Sequence, residues 1–134
     1  INQAGLDKVE ALVADAKAKG VEVVTGGKRS AAGELFYEPT ILAGADQRMG
    51  IASTEIFGPV APIFKFETEE EVIRLANDTP FGLAAYFYGR DYALIWRVAE
   101  ALEYGMVGIN TGMISTTVAP FVGVTTTAVA LLRL

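Results

Sequence analysis

The chain contains no cysteine and no histidine among its 134 residues. The absence of cysteine excludes disulfides and thiolate sites, and the absence of histidine removes the commonest metal ligand and general base. The acidic residues show no metal-ligand spacing either, so the sequence predicts neither a metal site nor a catalytic residue of its own. Chemistry that needs an activated thiol or imidazole would have to be completed by groups outside this sequence.

Long apolar runs and blocks of positive charge are also missing. Hydrophobic residues make up 51% of the chain, yet no uninterrupted apolar run approaches the ~20 residues of a membrane span. The net charge is −5 with acids and bases interspersed, which argues against a nucleic-acid partner. The first residues show neither a targeting leader nor an initiator Met, so we expect a cytoplasmic protein that begins further upstream. The high apolar content indicates that part of the surface packs against other protein.

The order of helical and extended patterns predicts an α/β fold. Residues 6–16 carry apolar side chains at helical spacing, and residues 21–25 form a β-branched strand. Residues 35–42 are a second extended segment, which Pro39 favours at a sheet edge. From residue 60 to residue 110 the pattern runs strand, helix, strand, helix, strand, which implies a largely parallel sheet.

Two details sharpen this prediction in the second half of the chain. Thr68 and Glu71 form a capping box at the start of one helix, and Asp91 caps the next helix. Residues 83–88 are apolar on both faces, so we expect a strand that is covered on both sides.

Residues 55–59, Glu-Ile-Phe-Gly-Pro, bring an acid, an aromatic ring and a rigid corner together. The Glu55 carboxylate can accept hydrogen bonds from the two hydroxyls of a ribose. Phe57, two positions on in an extended segment, would point to the same side and pack on a flat cofactor ring. We expect this pair at the end of a sheet, where α/β proteins bind nucleotides. The alternative is that Glu55 is a solvated loop acid and Phe57 a core residue.

Two further segments allow both a structural and a functional interpretation. Residues 77–82, Asn-Asp-Thr-Pro-Phe-Gly, are typical of a helix end and favour a structural role. Asn110 follows a strand, so Asn110, Thr111 and the hydroxyl residues 115–117 could face a ligand, although such a run is more often an ordinary loop. Phe121 could line a pocket or pack in a core.

These motifs together resemble the C-terminal part of the catalytic domain of the aldehyde dehydrogenase family. The segments that carry the resemblance are residues 55–59, residues 76–86 (Ala-Asn-Asp-Thr-Pro-Phe-Gly-Leu-Ala-Ala-Tyr) and residues 100–115. Within the family, residues 100–115 are most similar to the succinate-semialdehyde dehydrogenases. The resemblance covers residues 1–121, whereas residues 122–134 form an atypical tail in which the family pattern is lost.

The resemblance implies a fold and a set of residue roles. The fold would be a fragment of a three-layer α/β/α catalytic domain with a largely parallel sheet. The parent enzyme would oxidise succinate semialdehyde, or a similar aldehyde, to the acid with NADP or NAD. Glu55 would hold the nicotinamide ribose and Phe57 would pack beside the nicotinamide. Ser115 would help to bind the distal carboxylate of the substrate, and Phe121 would line the aldehyde tunnel.

The same resemblance implies that the chain works only with other polypeptide. The family's nucleophilic cysteine, its general-base glutamate and its dinucleotide-binding domain would precede this segment, so the chain alone is expected to be inactive. Its partners would be the aldehyde and the remaining domains of a parent enzyme that is a homo-oligomer. The alternative function is a non-catalytic binding or interaction module that reuses the fold.

Overall fold

The computed structural model describes residues 2–115 and Gly123, in a chain that divides into two compact units, Ile1–Lys65 and Phe66–Leu134. The first unit contains α1 (Gln3–Ala18), β1 (Glu22–Thr25), β2 (Thr40–Ala45), a short 3₁₀ helix (Gly50–Ala52) and β3 (Val60–Phe64). The second unit contains α2 (Glu69–Asn77), β4 (Ala84–Phe87), α3 (Tyr92–Ala101) and β5 (Met106–Ile109).

Helix α1 covers one face of the first unit's sheet. Asn2 caps the helix by accepting a hydrogen bond from the Gly5 amide at 2.9 Å, and the helix stops before Gly20, whose φ of +95° suits glycine. The apolar positions of α1 recur at helical spacing and are buried: Leu6, Val9, Val13 and Ala16. They form a core with the inner face of β2, of which Leu42 is fully buried. This unit therefore has a closely packed hydrophobic core of its own.

The sheet of the first unit has the strand order β1-β2-β3. Strand β1 runs antiparallel to β2, and β2 runs parallel to β3 with Thr40 opposite Val60. Burial alternates along β2, so that Thr40 and Leu42 are buried and Ile41 is exposed. The amino ends of β2 and β3 consequently lie at the same edge of the sheet.

The extended segment at residues 35–42 was predicted with the wrong bounds and the wrong position. The strand begins only at Thr40 and is the central strand of its sheet rather than an edge. Pro39 lies just before the strand, where its missing amide proton interrupts no ladder, so it gives no information about the edge. Tyr37 instead forms an isolated antiparallel bridge with Arg29.

In the second unit β4 and β5 form a parallel pair, with Tyr86 opposite Gly108. The predicted caps are confirmed: the Glu71 amide donates to Thr68 Oγ1 at 3.1 Å, and the Leu94 amide donates to Asp91 Oδ1 at 2.7 Å. The expectation of a strand covered on both sides is wrong for the described residues, because Tyr86 on β4 is 47% exposed. A continuous apolar run does not reveal whether the covering element belongs to the same unit.

Polar contacts join α2 and α3 in the second unit. Arg97 makes a two-pronged ion pair with Glu69, at 2.9 and 2.7 Å. The Asn77 amide donates to the Ala101 carbonyl at 2.8 Å and accepts from the Glu103 amide at 2.9 Å. These contacts confirm the structural interpretation of Asn77. The two helices and β4 border a mostly apolar cavity of about 550 Å³.

The predicted α/β class with largely parallel pairing is confirmed, since two of the three strand pairings are parallel. The described strands nevertheless form two separate sheets, because β3 pairs with β2 and β4 pairs with β5. The linear order of strands in the sequence did not reveal which strands are neighbours.

Candidate functional site

The loop that carries Glu55 and Phe57 runs from the 3₁₀ helix into β3. A segment that precedes a strand lies at the amino end of that strand, and here this end is shared by β2 and β3. The expectation that the pair would occupy the carboxyl edge, where doubly wound sheets bind nucleotides, is therefore wrong in its geometry. A cofactor at this site would contact the loop itself and not the carboxyl ends of β2 and β3.

Phe57 is not a core residue, because its side chain is 76% exposed. Its backbone has a φ of +46°, in the left-handed region that a non-glycine residue rarely adopts. The argument that Phe57 shares a side with Glu55 on an extended segment consequently fails, since the chain turns at Phe57. The surrounding loop instead holds an aromatic ring out in solvent at a conformational cost of about 1–3 kcal/mol. Such strain, together with an exposed ring, is typical of a binding loop.

The Glu55 carboxylate is exposed and has no hydrogen-bond or ion-pair partner among the described residues. Its main chain is held, because Lys8 Nζ donates to the Glu55 carbonyl at 3.1 Å. The same ammonium lies 5.7 Å from the centre of the Phe57 ring, within cation–π distance. Lys8 thus contacts both members of the predicted pair, although sequence analysis did not single it out.

No local pattern identifies Lys8 as a site residue, because 47 positions separate it from Glu55. It lies on α1 between the buried Leu6 and Val9, and this spacing alone suggests only a solvated lysine. The contact becomes visible when α1 and the loop are placed side by side.

Helix α1 and its C-cap residue Lys19 also hold the segment that leads into this loop, and α1 contacts the loop itself again at Gly58. The Gly50 amide donates to Asp15 Oδ2 at 2.8 Å, and Lys19 Nζ donates to the Arg48 carbonyl at 2.7 Å. Hydrogen bonds from Lys19 and from the Gly50 amide hold the pKa of Asp15 below its usual value. A Cβ atom on Gly58 would lie 2.5 Å from Val9 Cγ2, so the loop approaches the helix as closely as glycine permits.

Ser115 belongs to the second unit and is exposed. It follows β5, so the segment 110–115 leaves the carboxyl ends of the parallel strands β4 and β5, as expected from the sequence. The segment has local order: the Met113 amide donates to Thr111 Oγ1 at 3.3 Å, and this hydroxyl donates to the Met113 carbonyl at 3.1 Å. Thr116, Thr117 and Phe121 lie outside the described residues.

The Asn110 amide is hydrogen-bonded to the main chain at both of its ends. Its Oδ1 accepts a hydrogen bond from the Gly89 amide at 2.9 Å, and its Nδ2 donates to the Gly89 carbonyl at 2.9 Å. The backbone of Asn110 has a φ of +54°, which asparagine tolerates better than most residues. The side chain therefore ties the ends of β4 and β5 together and starts the loop that leads to Ser115.

The part of the chain that the structure describes contains no cluster of three or more acidic residues that could hold a metal ion. Among the same residues, no helix is long and apolar enough to cross a membrane.

The loop of the first unit presents a consistent set of chemical groups. The free Glu55 carboxylate can accept hydrogen bonds from two neighbouring hydroxyls, and the exposed Phe57 ring can pack on a planar heterocycle. The Lys8 ammonium has three donors, of which one is bound to the Glu55 carbonyl. These groups fit a ribose linked to a flat ring, which is the chemistry of the nicotinamide half of a dinucleotide.

Comparison with known proteins shows a match to "Aldehyde dehydrogenase family" over residues 1–130. A glutarate-semialdehyde dehydrogenase of Pseudomonas aeruginosa is 56% identical over 124 residues, which are 92% of this chain and 26% of that protein. The crystal structure of a succinate-semialdehyde dehydrogenase from Burkholderia pseudomallei has a TM-score of 0.90 and 62% identity, covering 92% of this chain and 26% of that chain.

A third similar protein is an NADP dependent enzyme of Escherichia coli, whose crystal structure has a TM-score of 0.90 and 53% identity. The match covers 93% of this chain and 26% of that chain. All three relatives are therefore about four times as long as the segment they share with this protein.

Proposed function

Because the chain belongs to the aldehyde dehydrogenase family, we propose that it forms the C-terminal part of the catalytic domain of an NAD(P)-dependent semialdehyde dehydrogenase. Its proposed substrate is succinate semialdehyde or a similar aldehyde with a distal carboxylate, and its product is the dicarboxylic acid. The observation that carries the proposal is the exposed cluster of Lys8, Glu55 and Phe57. In an NAD(P)-dependent dehydrogenase these residues would hold the cofactor.

In this proposal Glu55 fixes the nicotinamide ribose by accepting hydrogen bonds from its hydroxyls. Phe57 supports the nicotinamide ring, and Lys8 holds the loop while its remaining donors face the sugar. The bound nicotinamide supplies the acceptor for the hydride that leaves the aldehyde. The chain's own residues orient the ribose and the ring and keep the loop rigid, which reduces the entropy lost on reaching the reactive geometry.

The second unit would contribute to substrate choice. Two of the relatives are named as dehydrogenases of glutarate semialdehyde and succinate semialdehyde, both of which carry a carboxylate at the far end. The Ser115 hydroxyl can donate one hydrogen bond to such a carboxylate. Because a neutral donor binds a carboxylate weakly, arginines from the rest of the enzyme would share the task. In this proposal Phe121 lines the aldehyde tunnel.

The chain lacks the cysteine nucleophile of the proposed reaction, so the remaining domains of the parent enzyme are its proposed partners. Exposed aromatic side chains give this assembly a physical basis, because Phe36 is 59% and Trp96 is 57% exposed. The cytoplasmic location and the homo-oligomeric state of the complete enzyme are retained as predictions.

The alternative, a non-catalytic interaction module, also accounts for the exposed apolar residues. It does not account for an aromatic ring held in solvent by a left-handed residue beside an unpaired carboxylate and a lysine. We therefore favour the dehydrogenase.

A chimera provides the test, in which residues 1–121 of this chain replace the matching segment of the Burkholderia pseudomallei enzyme. Glu55→Ala should raise the KM for the dinucleotide and slow hydride transfer, each by about tenfold, because ribose hydrogen bonds to a charged group are lost. Glu34→Ala, which removes an exposed acid outside the cluster, is the matched control. Unchanged steady-state kinetics and an unchanged deuterium isotope effect in the Glu55 variant would remove this loop from the cofactor site.

A further inference from the structure

Two asparagines of the second unit make the same kind of clamp at different places. Asn77 binds the main chain of residues 101 and 103 with both ends of its amide and joins the ends of α2 and α3 ahead of β5. Asn110 binds both main-chain groups of Gly89 and joins the carboxyl ends of β4 and β5. Only Asn110 lies at the start of the segment that leads to Ser115.

The Asn110 side chain joins β4 and β5 just beyond the last residue pair of their hydrogen-bond ladder. The ladder ends with Phe87 opposite Ile109, and the Asn110 amide still donates to the Phe87 carbonyl at 3.0 Å. Beyond this point the chain turns away, because Asn110 is left-handed, and the side chain replaces the next pair of ladder hydrogen bonds. The direction in which the loop leaves the sheet is thus set by one residue.

The loop then folds back on β5 at a position that only glycine can occupy. A Cβ atom on Gly108 would lie 2.6 Å from Ile114 Cγ2 and 2.7 Å from Tyr86 Cδ1. Ile114 therefore rests directly on the main chain of the strand, and its neighbour Ser115 is held next to it. The loop is fixed at its start by Asn110 and near its end by Ile114.

We propose that Asn110 is a positioning residue that selects aldehydes with a distal carboxylate by fixing the loop that presents Ser115. This inference rests on the proposed function, because it takes Ser115 as the contact to the substrate carboxylate. In this proposal Asn110 acts through the loop, since both ends of its amide bind Gly89. Its effect should consequently be large for an acidic aldehyde and small for an uncharged one.

The test uses the chimera described above and two four-carbon substrates, succinate semialdehyde and butanal. Asn110→Gly keeps the left-handed backbone and removes both hydrogen bonds, so it separates the clamp from the backbone conformation. We expect the KM for succinate semialdehyde to rise about tenfold while kcat is retained, because a hydrogen bond to a charged group is weakened. The kcat/KM for butanal should change by less than about twofold.

Asn110→Asp is the second variant, since aspartate also tolerates the left-handed region and still accepts from the Gly89 amide. Its carboxylate cannot donate to the Gly89 carbonyl and adds a negative charge beside the loop, so the preference for the acidic aldehyde should fall at least as far as in Asn110→Gly. Asn77→Ala is the matched control: it removes two hydrogen bonds of the same kind and should lower the melting temperature without changing the ratio of kcat/KM for the two aldehydes.

Ser115→Ala separates failure of this inference from failure of the proposed function. If Ser115→Ala lowers the preference for succinate semialdehyde and neither Asn110 variant does, Asn110 has no positioning role. If Ser115→Ala also leaves the preference unchanged, the carboxylate contact itself is wrong and the inference fails with it. An equal loss of preference in Asn77→Ala would show that general destabilisation is the cause and would also overturn the proposal.

Discussion

The two units of this protein hold their loops by different means. In the first unit Leu6, Val9 and Leu42 are fully buried, and the loop with Glu55 and Phe57 lies against α1. In the described part of the second unit Val98 is the one buried large apolar side chain, and a cavity of about 550 Å³ lies among the helices and β4. Its elements are joined instead by the side-chain hydrogen bonds of Asn77 and Asn110 and by the ion pair between Arg97 and Glu69.

This difference shows how the described residues of each unit contribute to its stability. A buried apolar core stabilises a fold in proportion to the area removed from water, at about 25 cal/mol per Å². Hydrogen bonds and exposed ion pairs add specificity but little net stability. The first unit therefore has the means to hold its loop rigid, whereas the described residues of the second unit leave an apolar cavity unfilled.

The largest difference between the units is expected on truncating a leucine. In the 134-residue chain, Leu42→Ala should lower the free energy of unfolding of the first unit by about 3 kcal/mol, because a fully buried side chain leaves a cavity. Leu94→Ala in the second unit should cost less than about 1 kcal/mol, because Leu94 already borders a cavity. Hydrogen–deuterium exchange of the β2 and β4 amides measures both effects, and equal losses would contradict the contrast.

A smaller effect should follow from crowding the contact between α1 and the loop that carries Glu55 and Phe57. Gly58→Ala places a methyl group 2.5 Å from Val9 Cγ2 and should cost about 2 kcal/mol in the first unit. The second substitution Val9→Ala makes room, so the double variant should be more stable than the sum of the two single effects predicts. Chemical denaturation followed by circular dichroism measures this coupling. Strict additivity would show that the loop does not rest on Val9.

The smallest effect concerns one ion pair in each unit. Hydrogen bonds from Arg29 and Arg97 hold the pKa values of Glu10 and Glu69 below their ordinary value of 4.5. A lowered pKa in the folded state means that each pair stabilises the protein above pH 4.5, and that this contribution is lost as the pH falls through the lowered value.

Because the second unit has less buried apolar surface, acid should loosen it first. Hydrogen exchange in α3, compared with exchange in α1 between neutral pH and pH values below 4.5, tests this order. Glu69→Gln should remove the pH dependence in α3 and leave that in α1 unchanged. Simultaneous loosening of both helices would argue that the ion pairs do not distinguish the units.

Local chemistry explains which elements could be predicted from the sequence. The predicted caps Thr68 and Asp91 act on amides three positions ahead of themselves, and the structure shows both hydrogen bonds. The apolar spacing of α1 predicted its buried face for the same reason. Leu12 was also expected on the apolar face of α1, but it is half-buried rather than buried.

The site was predicted less completely, because its contacts are distant in the sequence. Glu55 and Phe57 were identified by their motif, but their place at the amino end of β3 and the left-handed turn at Phe57 were not. For Asn110 both a ligand contact and an ordinary loop role were left open, and each end of its amide is hydrogen-bonded to Gly89. The roles of Glu55, Phe57, Ser115 and Phe121 are still predictions.

The sequence by itself determined the helices, their caps, the α/β class and the family motif, since these depend on periodicity and on residues that are near neighbours. The tertiary structure alone decided that Lys8 contacts Glu55 and Phe57, that Pro39 precedes a central strand, and that the described strands form two sheets. The physical reason is that such contacts join groups far apart along the chain, and their energies arise only when packing has brought the surfaces together.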